Sequence, residues 1–238
     1  MSTNPIKSLA IILSLSLASC NQTSSVKESP GTSDSNSFFN AKDLTGWHVY
    51  NRGNMDSKWK VDNGELICDP KAKGEFGDLI SDKEYQDFEL DFEWKVKKGG
   101  NSGVFINVRE DSTYAATFAT GLEMQLLDNA NAEPRHQVDS THWAGCLYSV
   151  ECIGSNSKPN PYGEWNKGKI KQQNGQVTFW LNDKITFQDS INTSAFKQKI
   201  ANSNMKNYPA FATYPKGKIA FQNHTDSVGF RNIAIKEL

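Results

Sequence analysis

The sequence predicts an all-β fold, a sandwich or barrel of antiparallel strands in one domain. Three observations carry this. Short segments alternate apolar and polar residues with the two-residue period of a half-buried strand. Turns rich in Gly, Asn and Asp separate them at short intervals. Helical period is confined to a turn or two within TSAFKQKIANSN, residues 193–204. With 238 residues, 37% of them hydrophobic, the chain can bury one sizeable core. A net charge of −1 leaves no electrostatic footprint for nucleic acid. Aromatics make up 11%, with six Trp, which suits either core packing or flat platforms for sugar rings.

The first twenty residues stand apart from the fold. Lys7 precedes the apolar run LAIILSLSLA, too short for a permanent membrane span. The run ends in Leu17-Ala18-Ser19-Cys20, which resembles a bacterial lipobox. In such signals the chain is cut before the Cys, so Cys20 would carry the lipid and hold the protein to a membrane of the cell envelope. An ordinary secretory signal cut near Ala18-Ser19 is the alternative. Residues 21–37 are rich in Ser, Thr and Asn and read as a flexible tether, so the domain is placed at 38–238. Beyond Cys20, Cys68, Cys146 and Cys152 form an odd set. Cys146 and Cys152 could bridge a short loop or remain separate buried thiols. No CxxC pair or HExxH helix signals a metal, and no cofactor motif is present.

Within the domain, FELDFEWKV (88–96) puts Phe88, Leu90, Phe92, Trp94 and Val96 on one face. After the turn KKGGN, NSGVFINVRE (101–110) sends Val104, Ile106 and Val108 inward and Asn101, Gly103, Phe105, Asn107 and Arg109 outward. The two segments are expected to pair as a hairpin, with Glu89 across from Arg109 and Asp91 across from Asn107. QVTFWLNDKITFQ (176–188) reads as a second hairpin around an Asn-Asp turn. KIAFQNHTDSVGFRNIAIKEL (218–238) reads as a third, around a polar loop. Trp165 in GEWNK is expected in the core, with Asn166 fixing backbone at a strand start.

GLEMQLLDN (121–129) carries the chemistry. Leu122, Met124 and Leu126 form an apolar face, and Glu123 and Gln125 stand on the other. Together with Asn101, Phe105 and Arg109 these side chains can grip hydroxyls and stack a ring, which favours a ligand cleft over a solvated face. Asp128 joins Glu123 if a β-bulge falls near Leu126-Leu127; otherwise it begins a turn. Glu-x-Gln-x-x-Asp has the spacing of the Glu-x-Asp-x-x-Glu strand of laminarinase- and lichenase-type retaining glucanases. It departs at the central Gln125 and at the shorter Asp128, which argues against double displacement by two carboxylates held ~5–5.5 Å apart.

In order and spacing, NSGVFINVRE, GLEMQLLDN, AGCLYSV, GEWNKGKI and FRNIAIKEL resemble the 3-keto-disaccharide hydrolase family. The resemblance spans residues 38–238 and implies a concanavalin A-like jelly-roll sandwich of two antiparallel sheets. It also implies a carbohydrate substrate, a glycoside oxidised to a ketone at carbon 3. The ketone acidifies the proton on carbon 2, so one base can remove it and expel the carbon 1 substituent, after which water adds. Glu123 is the expected acid/base, with Asp128 and His136 as further catalytic candidates. Asn101, Arg109, Gln125, Tyr148 and His224 are the substrate-binding candidates. The resemblance supports His136 because a His commonly precedes the family's Gly-x-x-Tyr segment, here 145–148; His224 takes the matching position in the last hairpin. Each has a plain rival: Arg109 pairing with Glu89, Asn101 capping the KKGGN turn, and His136 and His142 solvated on a loop. The competing function is a lectin-like envelope protein that binds carbohydrate without cleaving it.

Overall fold

The computed structural model describes residues 1–2 and 38–238. The apolar leader, Cys20 and the linker thus fall outside the described residues, and residues 38–238 fall within one compact unit. Twelve strands are present among the described residues: β1 (Trp47–Val49), β2 (Trp59–Asp62), β3 (Glu65–Cys68), β4 (Leu79–Tyr85), β5 (Phe88–Val96), β6 (Asn101–Val108), β7 (Leu122–Leu127), β8 (Asn166–Gln173), β9 (Gln176–Leu181), β10 (Lys184–Ser190), β11 (Gly217–Phe221) and β12 (Val228–Glu237). They form two antiparallel sheets, one ordered β1-β4-β11-β6-β7 and the other β10-β9-β8-β5-β12-β3-β2. This is the expected jelly-roll sandwich. Two helices interrupt it, α1 (Pro134–Gln137) and α2 (Ser194–Ala201). The latter falls within the stretch read as helical, and the Thr193 hydroxyl caps it by accepting from Phe196 N.

Most of the aromatic content fills the space between the sheets. Phe221 of β11 meets Phe230 of β12 with ring centroids 4.5 Å apart, and Trp59 and Phe92 pack around Phe230 at 6.3 Å each. The inner face of β5 is as expected, with Phe88, Leu90, Phe92, Trp94 and Val96 all buried. The Asn-Asp hairpin also forms. Asn182 and Asp183 take φ of 47° and 64°, the left-handed pair that lets a two-residue turn join twisted strands.

Four expectations about neighbours and facing are corrected. First, β5 and β6 do not form a hairpin, because KKGGN arches from one sheet to the other. The outer face of β5 pairs with β8 and β12 instead, Glu89 with Lys171, Asp91 with Lys169 and Glu93 with Arg231. Second, β11 and β12 also lie in different sheets, joined by the polar loop across the sandwich edge. Third, alternation in β6 breaks at Asn107, whose φ is +58°. Three steps along β6 oppose two on β11, a bulge that turns Asn107 inward, where its Nδ2 donates to Gln172 Oε1 at 2.7 Å. Val108 therefore joins Tyr50, Ile80, Phe105 and Ala220 rather than the main core. Fourth, Trp165 is only partly buried, its ring held between Lys95 Nζ and Arg231 Cζ at 4.1 Å each. Asn166 does fix backbone, its Oδ1 accepting from Asn160 N.

Candidate functional site

The register of β6 against β7 builds the floor of the site. Asn101 stands opposite Leu127, Gly103 opposite Gln125, and Phe105 opposite Glu123. Directly opposed residues project to the same side, so Asn101, Glu123 and Gln125 share the outer face of the five-stranded sheet. The Gln125 amide donates to Asn101 Oδ1 at 3.0 Å and fixes both side chains. A methyl group on Gly103 would run into the Glu123 carboxyl, so the bare glycine makes room for it. Every residue of β6 and β7 is buried, on both faces. The face that alternation leaves polar is therefore not a solvated surface but is covered by loops.

One cover is held by main-chain bonds. Beside the outer edge of β7, Gly145 N donates to Gln125 O, Gln125 N to Cys146 O, and Tyr148 N to Glu123 O, at 2.7, 3.0 and 3.1 Å. These bonds place Tyr148 beside Glu123. A disulfide joins Cys146 to Cys152 across the turn that follows, resolving the two alternatives in favour of a bridge. Another cover is the turn at Asn204–Asn207 with Tyr208. Between floor and covers lies a cavity of about 340 Å³.

Six of the expected residues meet there: Asn101, Glu123, Gln125, His136, Tyr148 and His224 line this cavity. Arg109 does not. It lies exposed past the end of β6 away from Asn101, its guanidinium 3.6 Å from Glu84; Glu89, the expected partner, pairs with Lys171. Asp128 does not reach the cavity either. β7 ends at Leu127 without a bulge, and Asp128 accepts from Gly99 N and Asn131 Nδ2, each at 2.9 Å, tying the KKGGN arch to the following turn. Its carboxylate organises this turn and, contrary to the catalytic expectation, does not face the cavity. His136 and His142 are not solvated: they are 2% and 8% exposed. The His142 ring stacks on Tyr148 with centroids 4.7 Å apart, and the Trp143 indole donates to His136 O, holding α1 in place.

The sequence reading missed Phe118, Arg135, Asn204, Asn207, Tyr208 and Gln222, all of which line the cavity. Most of these lie in aperiodic turns, where alternation gives no facing. Arg135 and Gln222 had a signal, since each is within two residues of a histidine candidate. Asp78 was missed too. Thr117 Oγ1 and Asn223 N both donate to its carboxylate.

Burial sets the electrostatics. Loss of solvent pushes the Glu123 carboxyl up to about 8, with the nearby Asp78 charge adding to the rise and the Gln222 amide opposing it. Desolvation also raises Asp78 to about 6. His136 is driven the other way, down to about 4, by burial first and then by the Arg135 and His142 charges. At neutral pH the site thus holds a largely protonated Glu123, an ionised Asp78 and a neutral His136. Among the described residues, buried side-chain polar atoms without a partner occur on His136, His142, Gln222, Asn223 and His224, all in or beside the cavity, and on Trp94. Such a concentration marks a surface built for hydrogen bonds to something other than this chain. The arrangement can hold a hydroxylated ring and move one proton at Glu123.

Comparison with known proteins accords with this geometry. A 3-keto-disaccharide hydrolase of Bacteroides thetaiotaomicron is 30% identical over 233 residues, covering 84% of this chain and 77% of that protein. A crystal structure of a candidate glycosyl hydrolase from Parabacteroides distasonis superposes with a TM-score of 0.75 at 30% identity, over 84% of this chain and 92% of the other. A second candidate glycosyl hydrolase of that species shares the fold, with a TM-score of 0.64 at 21% identity, over 85% and 98% of the two chains. The 3-keto-alpha-glucoside-1,2-lyase-like domain matches residues 34–236, nearly the whole of the folded part, and the chain belongs to that family.

Proposed function

We propose that the protein cleaves the glycosidic bond of 3-keto-glycosides by eliminating the carbon 1 substituent, with Glu123 as the single acid/base. Its reaction class is that of a glycoside-cleaving enzyme. One observation carries the proposal: a buried carboxyl, raised to about 8, on the floor of a cavity whose lining is rich in amide, imidazole and phenol groups and holds one guanidinium, Arg135. A base tuned upward is better matched to a carbon acid than an ordinary carboxylate, yet it still ionises near neutral pH. Burial favours the neutral form of Glu123, so taking a proton relieves the cost of the buried charge.

Ionised Glu123 removes the proton from carbon 2, and the electron pair passes to the ketone oxygen as an enolate. Collapse of the enolate forms the double bond between carbons 1 and 2 and breaks the bond from carbon 1 to the leaving oxygen. The proton on Glu123 passes to that oxygen, releasing an alcohol and an unsaturated keto-sugar. Water adding across the double bond completes a net hydrolysis. Gln125 and Asn101, locked to each other, present fixed amide groups to the sugar hydroxyls. Arg135, the one guanidinium in the lining, is the cation available to stabilise the enolate oxygen, in place of Arg109, the guanidinium first expected to contact the substrate. Neutral His136 and partly buried His224 offer ring nitrogens to the same ring.

The test is to incubate the purified protein with the oxidised and unoxidised forms of one disaccharide. Splitting of the oxidised form alone supports the proposal; splitting of the unoxidised form, or of neither, refutes it. A carbohydrate-binding protein without catalysis would bind and give no product. The lipobox-like Leu17-Ala18-Ser19-Cys20 further supports a place at the cell envelope through a lipid anchor. Incorporation of labelled palmitate that is lost in Cys20→Ser would bear this out, and unlabelled wild-type protein would refute it.

A further inference from the structure

A second depression adjoins the cavity, and its chemistry differs. It has a volume of about 840 Å³ and shares Phe118 and Tyr208 with the cavity as a common wall. These two rings meet edge to face at 5.2 Å, and each residue stays 37% exposed, unusual for large aromatics with a core at hand. Tyr114, Tyr214, Pro209 and a set of alanines complete the trough. No charged, amide or imidazole side chain lines it. Its hydroxyls are largely consumed internally: Tyr114 and Tyr214 bond to each other at 2.8 Å, and Thr213 donates to Ala210 O at 2.8 Å. A sugar placed there would lose bonds to water and find few in return. A flat apolar ring would lose nothing.

The depression on the other side of Phe118 makes the contrast. It measures about 360 Å³, and beside Tyr50, Phe76, Phe118 and two alanines its wall carries Arg52, Asp78, Gln222, Asn223 and His224, groups that can bond hydroxyls. Of the two depressions that share walls with the cavity, only the trough is lined without charged, amide or imidazole side chains. We infer that the apolar trough is the subsite for the leaving group, and that the preferred substrates carry an aromatic or comparably apolar aglycone rather than a second sugar. This rests on the cleavage reaction proposed above.

The test uses methyl and benzyl 3-keto-α-glucosides, whose leaving alcohols have similar acidity, so a rate difference reports contact and not leaving-group chemistry. Wild-type kcat/KM should be about tenfold or more higher for the benzyl compound, the scale of one buried ring. Tyr214→Asp and Ala210→Asp should bring the ratio close to one while turnover of the methyl compound stays unchanged. Equal rates for the two compounds in the wild type, or a 3-keto-disaccharide outrunning the benzyl compound, would overturn the inference while the reaction itself stands. Cleavage of neither compound would count against the reaction, and binding then decides the subsite. In Glu123→Gln the benzyl compound should bind about tenfold tighter than the methyl compound, and equal affinities overturn the subsite.

Discussion

Glu123 and Gly103 hold the site between them, and each supports a prediction. If Glu123 abstracts the carbon 2 proton, kcat/KM should rise with pH and level off above the value of about 8 to which burial lifts it. A profile that falls through that region would show Glu123 acting as an acid at the rate-limiting step. Glu123→Gln should remove turnover with the fold intact, read by an unchanged far-ultraviolet dichroism spectrum. Gly103→Ala tests placement and not chemistry. The added methyl meets the Glu123 carboxyl, so the carboxyl must move. A displacement of about 1 Å costs on the order of 10²-fold in rate, whereas the overpacking itself costs about 1–3 kcal/mol of stability. Activity retained within threefold would show that the carboxyl does not need its present position. In Glu123→Gln the alanine should cost no further activity.

At the scale of elements, the segment that docks on β7 links a covalent bond to the site. The Cys146–Cys152 bridge spans six residues, and closing so short a loop removes about 2 kcal/mol worth of freedom from the unfolded chain. The same loop holds Tyr148 beside Glu123 through the bond from Tyr148 N to Glu123 O. Cys146→Ser should lower the urea unfolding free energy by about that amount and raise KM more than it lowers kcat; unchanged values of both would show the bridge to be idle. Most of these elements could be read from the sequence, and the reason is specific. β7 and the β9–β10 hairpin obey local rules, alternation and a turn needing two residues at positive φ. The partner of a strand does not obey a local rule. β5 and β6 have complementary outer faces on paper, yet each finds its neighbour elsewhere, because both faces of β6 must be covered. Arg109 and Asp128 were misassigned for a related reason. One residue at positive φ in β6 redirects Arg109, which strict alternation sends into the cleft, and the bulge that would have brought Asp128 there is absent because β7 simply ends at Leu127.

For the whole molecule, length and patterning foretold the sandwich, but the buried charge balance is a property of three dimensions alone. Its consequence is a stability that depends on pH in a particular window. Glu123 has a folded value raised from 4.5 to about 8, so the native state holds a proton that the unfolded chain releases. Its contribution is fully present below 4.5 and is lost as pH rises through 8. Asp78, raised from 3.8 to about 6, acts in the same direction over a lower range. His136 opposes them. Its value falls from 6.5 to about 4, so its contribution is present above 6.5 and is lost as pH falls through 4. Glu93 and Glu110, held below their usual range chiefly through Arg231 and through Lys218, against the cost of burial, add stability that disappears in acid. Between about pH 4 and 6.5 these effects compete. From about 6.5 to 8 Glu123 is the one of these groups still exchanging its proton, and one proton corresponds to about 1.4 kcal/mol per pH unit. The unfolding free energy should therefore fall by roughly 2 kcal/mol across that interval, a drop of about 4–8 °C in Tm for a domain of this size. Glu123→Gln should flatten the decline and be more stable than the wild type at pH 8, the opposite of its effect on turnover. A wild-type midpoint that is level from pH 6.5 to 8, or a variant that declines in parallel with it, would mean that Glu123 is ionised in the folded protein at neutral pH, and the site would then have to work as a ready carboxylate instead of a tuned one.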